Sequence, residues 1–171
     1  MSATASSFDV RLLIIDPQND FCDLPADALP SGVAPSLPVP GAHADMLRLA
    51  GVIDTMGTTL TDIGVTLDSH HRLDIAHPTF WQHGDGSDVA PFTEVTAAEV
   101  RAGSVVPRDA ASLPRALTYL DELERRGRYR LMVWPVHCEM GTWGHQVHAA
   151  VGTAAGAWGE ATGGPRGTWR Q

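Results

Sequence analysis

The sequence predicts an α/β fold built on a parallel β-sheet, because short apolar segments alternate with amphipathic ones. Three compact apolar segments are predicted strands, at residues 10–15, 63–67 and 131–134. A segment with helical spacing of apolar residues follows each strand, at residues 42–56, 113–126 and 145–158. This order is typical of a parallel sheet with right-handed crossovers. The sequence contains no internal repeat.

Proline or glycine residues mark where several of these elements end. Pro17 ends the first strand, since proline removes a backbone donor. Gly57 follows the first predicted helix and Gly127 follows the second, and glycine is the usual residue just beyond a helix end. The second predicted helix has a leucine stripe with charges opposite, which indicates one buried and one solvated face.

Two long connections are predicted between the regular elements. Residues 25–40 contain five prolines and are predicted to form a surface loop or a lid. Residues 77–107 are rich in Gly, Pro, Asp and Thr, so we expect an irregular excursion with one short helix at 97–102. Long loops of this kind are usually functional or disordered.

Composition narrows the class of protein. The chain has 171 residues, is 43% hydrophobic and carries a formal net charge of −8, which disfavours nucleic acid and anionic membranes as partners. We expect no membrane span and no secretory signal. The two cysteines are too few for a disulfide scaffold, which favours a reducing, cytoplasmic setting. All 12 basic residues are arginine, so no mechanism can use a lysine of this chain.

Ionisable residues follow all three predicted strands, where ligands bind in open α/β sheets. Asp16 follows the first strand, Asp68 and His70 the second, and His137 the third. Taken alone, an aspartate at a strand end is more often a loop cap than a catalyst. Four such residues at one edge of a sheet instead favour a functional site.

The spacing of the second and third groups indicates a metal site. Asp68 and His70 lie two residues apart, so an extended backbone places them on one face. Either His71 or His77 could add a ligand, and His137 could complete the set. One carboxylate with two or three imidazoles suits Zn, Mn or Fe. The alternative for each histidine alone is a partly exposed loop position.

Other reactive residue types are predicted to be structural. Cys138 neighbours a histidine, but adjacent residues of an extended chain point to opposite faces, so the two are poorly placed to act as nucleophile and base. We therefore expect the side chain of Cys138 to be buried in the core. Cys22 is expected to be structural as well. His145 and His148 are spaced for one helical face, which suits either a metal or a solvated helix edge. Residues 122–130 are expected to form a solvated helix end.

Three motifs resemble the nicotinamidase and isochorismatase-like cysteine hydrolases. Residues 12–22 read Leu-Leu-Ile-Ile-Asp-Pro-Gln-Asn-Asp-Phe-Cys and resemble the opening strand of that family. Residues 67–81 resemble its metal segment, and residues 134–138 match its Trp-Pro-x-His-Cys motif, with Gly-Thr following at 141–142. The resemblance runs from about residue 10 to about residue 158. It implies a Rossmann-like, three-layer isochorismatase-like hydrolase fold.

The resemblance also implies a chemistry. Asp16 matches the aspartate of the family's Asp, Lys, Cys triad. Asp68, His70 and His137 match metal ligands, with His77 as a further one, for a divalent metal such as Zn, Mn or Fe. The implied reaction is metal-dependent hydrolysis of a C–N bond in a small-molecule amide such as nicotinamide.

The sequence departs from the family where the later motifs are expected. The triad lysine and the nucleophilic cysteine have no counterpart, so we expect only the N-terminal portion of the fold, truncated after about three strands. This divides the chain into a polar leader at 1–9, an incomplete hydrolase domain at 10–158 and an irregular tail at 159–171. Little or no amidase activity is expected from this chain alone.

Two other functions remain open at this point. The chain could be a non-catalytic metal-binding or interaction protein that exposes an unfinished sheet edge, including toward a second copy in a homo-oligomer. Alternatively, the metal alone could activate water for hydrolysis.

Overall fold

The computed structural model describes residues 9–127, 129–163 and the backbone of 169–170, and seven β-strands and four α-helices lie in this part of the chain. The strands are β1 (Arg11–Ile15), β2 (Asp62–Thr66), β3 (Trp81–His83), β4 (Thr93–Val95), β5 (Val105–Pro107), β6 (Leu131–Val133) and β7 (Trp169–Arg170). The helices are α1 (Ala42–Met56), α2 (Ala97–Ala102), α3 (Leu113–Arg125) and α4 (Ala149–Thr162). The chain divides into a first unit, residues 1–69 with 141–171, and a second unit, residues 70–140.

The first unit contains the parallel sheet that the sequence predicts. β1 and β2 pair in parallel along their full length, with Ile14 opposite Val65. Both side chains are buried, and the core they form includes Ile53 of α1 and Val151 and Trp158 of α4. Helices α1 and α4 therefore cover one face of this sheet. None of the helices among the described residues is long and apolar enough to cross a bilayer.

The prediction that the third strand pairs in parallel is wrong. β6 lies in the second unit and pairs antiparallel with β4. The parallel sheet is limited to β1 and β2, apart from the two-residue β7, which pairs in parallel with β2. An apolar run of three or four residues indicates burial but carries no information on the direction of its partner.

The expectation of an irregular segment at 77–107 is also wrong in part. This segment contains β3, β4 and β5, each only three residues long and too short to show an alternating pattern. The short helix expected inside it is confirmed as α2, which begins with a capping box between Thr96 and Glu99. Trp81, Val95 and Val105 are buried in the core of the second unit, together with Leu120 of α3.

The first two long helices predicted from the sequence are confirmed, one with the predicted bounds and one with a shifted end. α1 has the predicted bounds, and Gly57 after it adopts a φ of 45°. α3 ends one residue early, and its last turn is solvated, where Arg125 and Arg126 pair with Glu122. Residues 25–40 form the expected loop, with one short 3₁₀ turn at Ala26–Ala28.

The last helix differs most from its prediction. It begins at Ala149 instead of residue 145, so His145 and His148 share no helical face. It continues to Thr162, into the expected irregular tail, and β7 follows. Residues 164–168 and 171, and residues 1–8 of the expected leader, lie outside the described residues.

His148 caps the start of α4 instead of lying on a solvated edge. His148 is 3% exposed, and its Nδ1 accepts a hydrogen bond from the backbone N–H of Ala150 at 3.3 Å. That role requires an unprotonated Nδ1, so the Nε2–H faces Nδ1 of His43 at 2.9 Å. Burial, with a smaller contribution from His43, holds the pKa of His148 below its usual value.

We therefore expect the free energy of unfolding to depend on His148 in mild acid. Since the pKa of His148 is lower in the folded chain, the unfolded chain takes up the proton first. The stabilisation is complete above the unfolded pKa of about 6.5 and is lost as the pH falls below it. Denaturant unfolding between about pH 7.5 and pH 5 measures this loss. His148→Asn retains a capping oxygen without titrating, so it is expected to flatten the curve; an unchanged curve would contradict this assignment.

Candidate metal centre

Three histidines of the second unit converge on one point. His70, His77 and His137 each offer a ring nitrogen, and these three atoms lie within 4.8 Å of one another. The ring centroids are 4.6 Å apart for His70 and His77, 4.8 Å for His70 and His137, and 5.2 Å for His77 and His137. Three imidazoles at such distances can share one cation.

Backbone hydrogen bonds hold two of these histidines side by side. The N–H of His70 donates to the carbonyl of Cys138 at 3.1 Å, and the N–H of Met140 donates to the carbonyl of His70 at 3.0 Å. This short parallel bridge fixes His70 beside the segment that follows β6. Cys138 has a φ of 47°, the left-handed region in which few non-glycine residues lie. Such backbone positions cluster at functional sites.

Outer partners orient two of the rings. Nδ1 of His70 lies 3.2 Å from a carboxylate oxygen of Asp74, and Nδ1 of His137 lies 2.7 Å from the carbonyl oxygen of Pro135. In both rings Nδ1 then carries the proton, and Nε2 is the nitrogen that would bind a cation. Metal-binding histidines usually donate their other ring nitrogen to a carboxylate or carbonyl in this way.

His77 is the least exposed member of the group. It is 0% exposed, and neither of its ring nitrogens has a hydrogen-bond partner of ordinary geometry among the described residues. Burial lowers its pKa, as do the neighbouring His70 and His137, and the nearby Asp74 and the backbone of Arg72 offset this only in part. The ring is therefore held neutral, which is the form that binds metal.

The arrangement thus fits a divalent ion. A buried imidazole without a hydrogen-bond partner of ordinary geometry loses hydrogen bonds that it makes in water, and a cation would restore one such interaction. Three neutral nitrogen ligands are typical of Zn²⁺ sites that keep further positions for water or substrate. Imidazole also suits Fe, whereas Mn favours carboxylate ligands. The side chains present do not select one metal.

The structure shows which of the two alternatives, His71 or His77, belongs to the histidine group. His77 is a member, whereas His71 is exposed and is not. Asp68, the predicted carboxylate ligand, lies in the first unit and is not in the histidine group. Its backbone is fixed by the buried Gln18, whose side chain accepts from the N–H of Asp68 at 2.7 Å and donates to its carbonyl at 2.8 Å. Its assignment as a ligand stays a prediction.

Asp16 lies directly after β1 in the first unit, as predicted. Its φ of 50° places it in the left-handed region. Oδ1 of Asp16 accepts a hydrogen bond at 2.7 Å from the hydroxyl of Thr66, the last residue of β2. The neighbouring strand thus fixes the orientation of this carboxylate. Its assignment to a catalytic triad stays a prediction.

Both cysteines are buried, as the sequence predicts. Cys22 is 1% exposed and Cys138 is 0% exposed. The thiol of Cys22 lies 3.3 Å from the carbonyl oxygen of Gln18, and burial raises its pKa to about 11. A thiol in this state is not a nucleophile near neutral pH.

One residue of the site was missed at the level of sequence. Asp74 orients His70, and its backbone carbonyl accepts from the N–H of His77 at 2.9 Å. Its position between the two histidines was the available signal, because a carboxylate is a common outer partner of a metal-binding histidine.

The fold and the histidine group define an α/β protein with a candidate metal centre, and comparison with known structures finds proteins of similar fold. A yeast nicotinamidase bound to the inhibitor nicotinaldehyde matches 94% of this chain, with a TM-score of 0.53 and 19% identity. A second structure of the yeast nicotinamidase matches equally well, at 20% identity. At this identity the likeness concerns the fold.

The likeness extends over only part of the yeast protein. This chain spans 56% of the length of the yeast nicotinamidase. No known family profile matches the sequence, and no curated protein is significantly similar to it.

Proposed function

We propose that this chain provides the metal-binding portion of a nicotinamidase-like hydrolase that acts on a C–N bond of a small amide such as nicotinamide. The observation that carries the proposal is the convergence of His70, His77 and His137 on one point, with the His77 ring buried and lacking a hydrogen-bond partner of ordinary geometry among the described residues. The fold shared with the yeast nicotinamidase supports the reaction class.

The residues would divide the work as follows. His70, His77 and His137 would hold a divalent metal. When bound, that metal supplies a positive centre that binds or orients a ring nitrogen of the substrate. Asp16 would move a proton between the attacking group and the leaving amine, a role that requires the fixed orientation that Thr66 supplies.

The covalent step of such a hydrolase needs a thiolate, and this chain offers none. Both cysteines are buried, and the sequence contains no lysine. When one member of a cooperating catalytic set is lost, most of the rate acceleration is lost with it. We therefore propose that the chain alone does not turn over simple amides at an enzymatic rate.

The test combines metal content with amide hydrolysis on one sample. Purified chain is loaded in turn with Zn²⁺, Mn²⁺ or Fe²⁺, dialysed, and assayed for ammonia release from nicotinamide. We expect retained metal and ammonia release no faster than that from the His70→Ala variant. Turnover that disappears in Asp16→Ala would contradict the proposed inactivity and would require a nucleophile within this chain.

One observation favours a second candidate, a non-catalytic metal-binding or interaction protein. Leu13 and Ile15 of β1 are 64% and 68% exposed, although parallel sheets usually have both faces covered. Light scattering of the metal-loaded chain separates the candidates. A defined oligomer that retains metal without turnover favours this second function, and a monomer disfavours it.

A further inference from the structure

The first unit places the hydroxyl of a serine beside the ring of a histidine. Oγ of Ser69 lies 2.8 Å from Nε2 of His145, within ordinary hydrogen-bond distance. Both residues are partly exposed. Neither residue belongs to the histidine group described above.

The backbone around both residues is held in place by one buried side chain. Gln18 is 0% exposed, and its Nε2 donates to the carbonyl of Asp68 at 2.8 Å and to that of His145 at 3.0 Å. The N–H of His145 in turn donates to the hydroxyl of Thr142 at 3.4 Å. The serine and the histidine are therefore positioned by the fold and not by their own contact alone.

We propose that Ser69 is a nucleophile activated by His145, which gives the chain an acyl-transfer activity that requires neither a metal nor a cysteine. The pairing satisfies the first requirement of nucleophilic catalysis, a hydroxyl within hydrogen-bond reach of a base. The substrate class is a small, uncharged ester, because Asp68 adjoins Ser69 and the chain carries a formal net charge of −8, which disfavours anions.

The reaction balances with these two residues and water. Oγ of Ser69 forms a bond to the ester carbonyl carbon while its proton moves to Nε2 of His145. The C–O bond to the leaving group then breaks, and the alcohol departs with that proton. Water, deprotonated by His145, attacks the acyl-serine, releases the carboxylic acid and restores the hydroxyl of Ser69.

The test uses a fluorophosphonate on the full chain in the presence of a chelator, so that it is independent of the metal proposal. Attack by Oγ forms a P–O bond and expels fluoride, and His145 takes the proton. Peptide mass spectrometry is expected to find one label per chain on Ser69. Ser69→Ala is expected to abolish the label, and His145→Gln to slow labelling by about 100-fold or more. Ser87→Ala, which removes an exposed hydroxyl bonded to Asp85, is the matched control and should label normally.

Ser69→Cys keeps the test decisive if the alanine variant does not fold. The introduced thiol is expected to react with iodoacetamide faster than the same thiol in a variant that also carries His145→Gln. Three results would overturn the proposal. They are no label on the native chain, a label that persists in Ser69→Ala, and equal reactivity of the introduced thiol with and without His145→Gln. Because no metal is present, none of these outcomes bears on the histidine centre.

Discussion

His77→Ala is expected to abolish the stabilisation of this chain by divalent metal. Wild-type protein should gain about 2.7 kcal/mol of unfolding free energy at a metal concentration 100 times its dissociation constant, because only the folded chain presents the three nitrogens together. Without His77 the site retains two imidazoles, and the least exposed ligand is lost. Thermal unfolding of both proteins, with and without Zn²⁺ or Mn²⁺, measures the difference.

His71→Ala is the matched control. His71 adjoins His70 in sequence but is exposed and lies outside the histidine group. Its loss should leave the metal-dependent shift in melting temperature unchanged. If both variants lose the shift, or neither does, metal binding at this centre is contradicted and the buried histidines have another role.

Gly144→Ala is expected to produce the largest loss of stability among single-methyl additions to the first unit. A Cβ at this position would overlap the carboxyl group of Asp20. Asp20 cannot move aside at no cost, because it is 4% exposed and its Oδ1 accepts a hydrogen bond from the N–H of Ser36 at 2.9 Å. Its own N–H donates to the carbonyl of Gly144 at 3.0 Å. We expect a loss of about 2 kcal/mol, measured by denaturant unfolding.

Gly156→Ala adds the same methyl group but is expected to raise the stability instead of lowering it. Gly156 lies inside α4, and a Cβ there meets nothing within 4 Å. Alanine should therefore stabilise the helix by about 0.5–1 kcal/mol. Equal effects from the two substitutions would show that the packing around Asp20 is looser than described.

The sequence predicts those parts of the fold that have a long, regular pattern. α1 and α3 show helical spacing over three to four turns, and glycine follows each of them. β1 and β2 are apolar runs bounded by polar residues. By contrast, β3 to β5 are three residues long, and β6 pairs antiparallel with one of them. Strands this short show no periodic pattern from which their presence or the direction of their pairing can be predicted.

The candidate site was predictable in residue type but not in arrangement. Spacing alone left His71 and His77 as alternatives, and only the folded chain shows which one is buried. The capping role of His148 was missed because its position, one residue before α4, depends on where the helix begins. The pairing of Ser69 with His145 joins residues 76 positions apart, which no local pattern reports.

The most direct test of the central claim is metal analysis of the wild-type chain after saturation and exhaustive dialysis, followed by X-ray absorption spectroscopy of the bound ion. One ion per chain is expected, with three imidazole nitrogens as ligands from His70, His77 and His137. Loss of the ion on dialysis, or a retained ion whose spectrum is unchanged in His77→Ala, would contradict the assignment of this cluster as the metal centre.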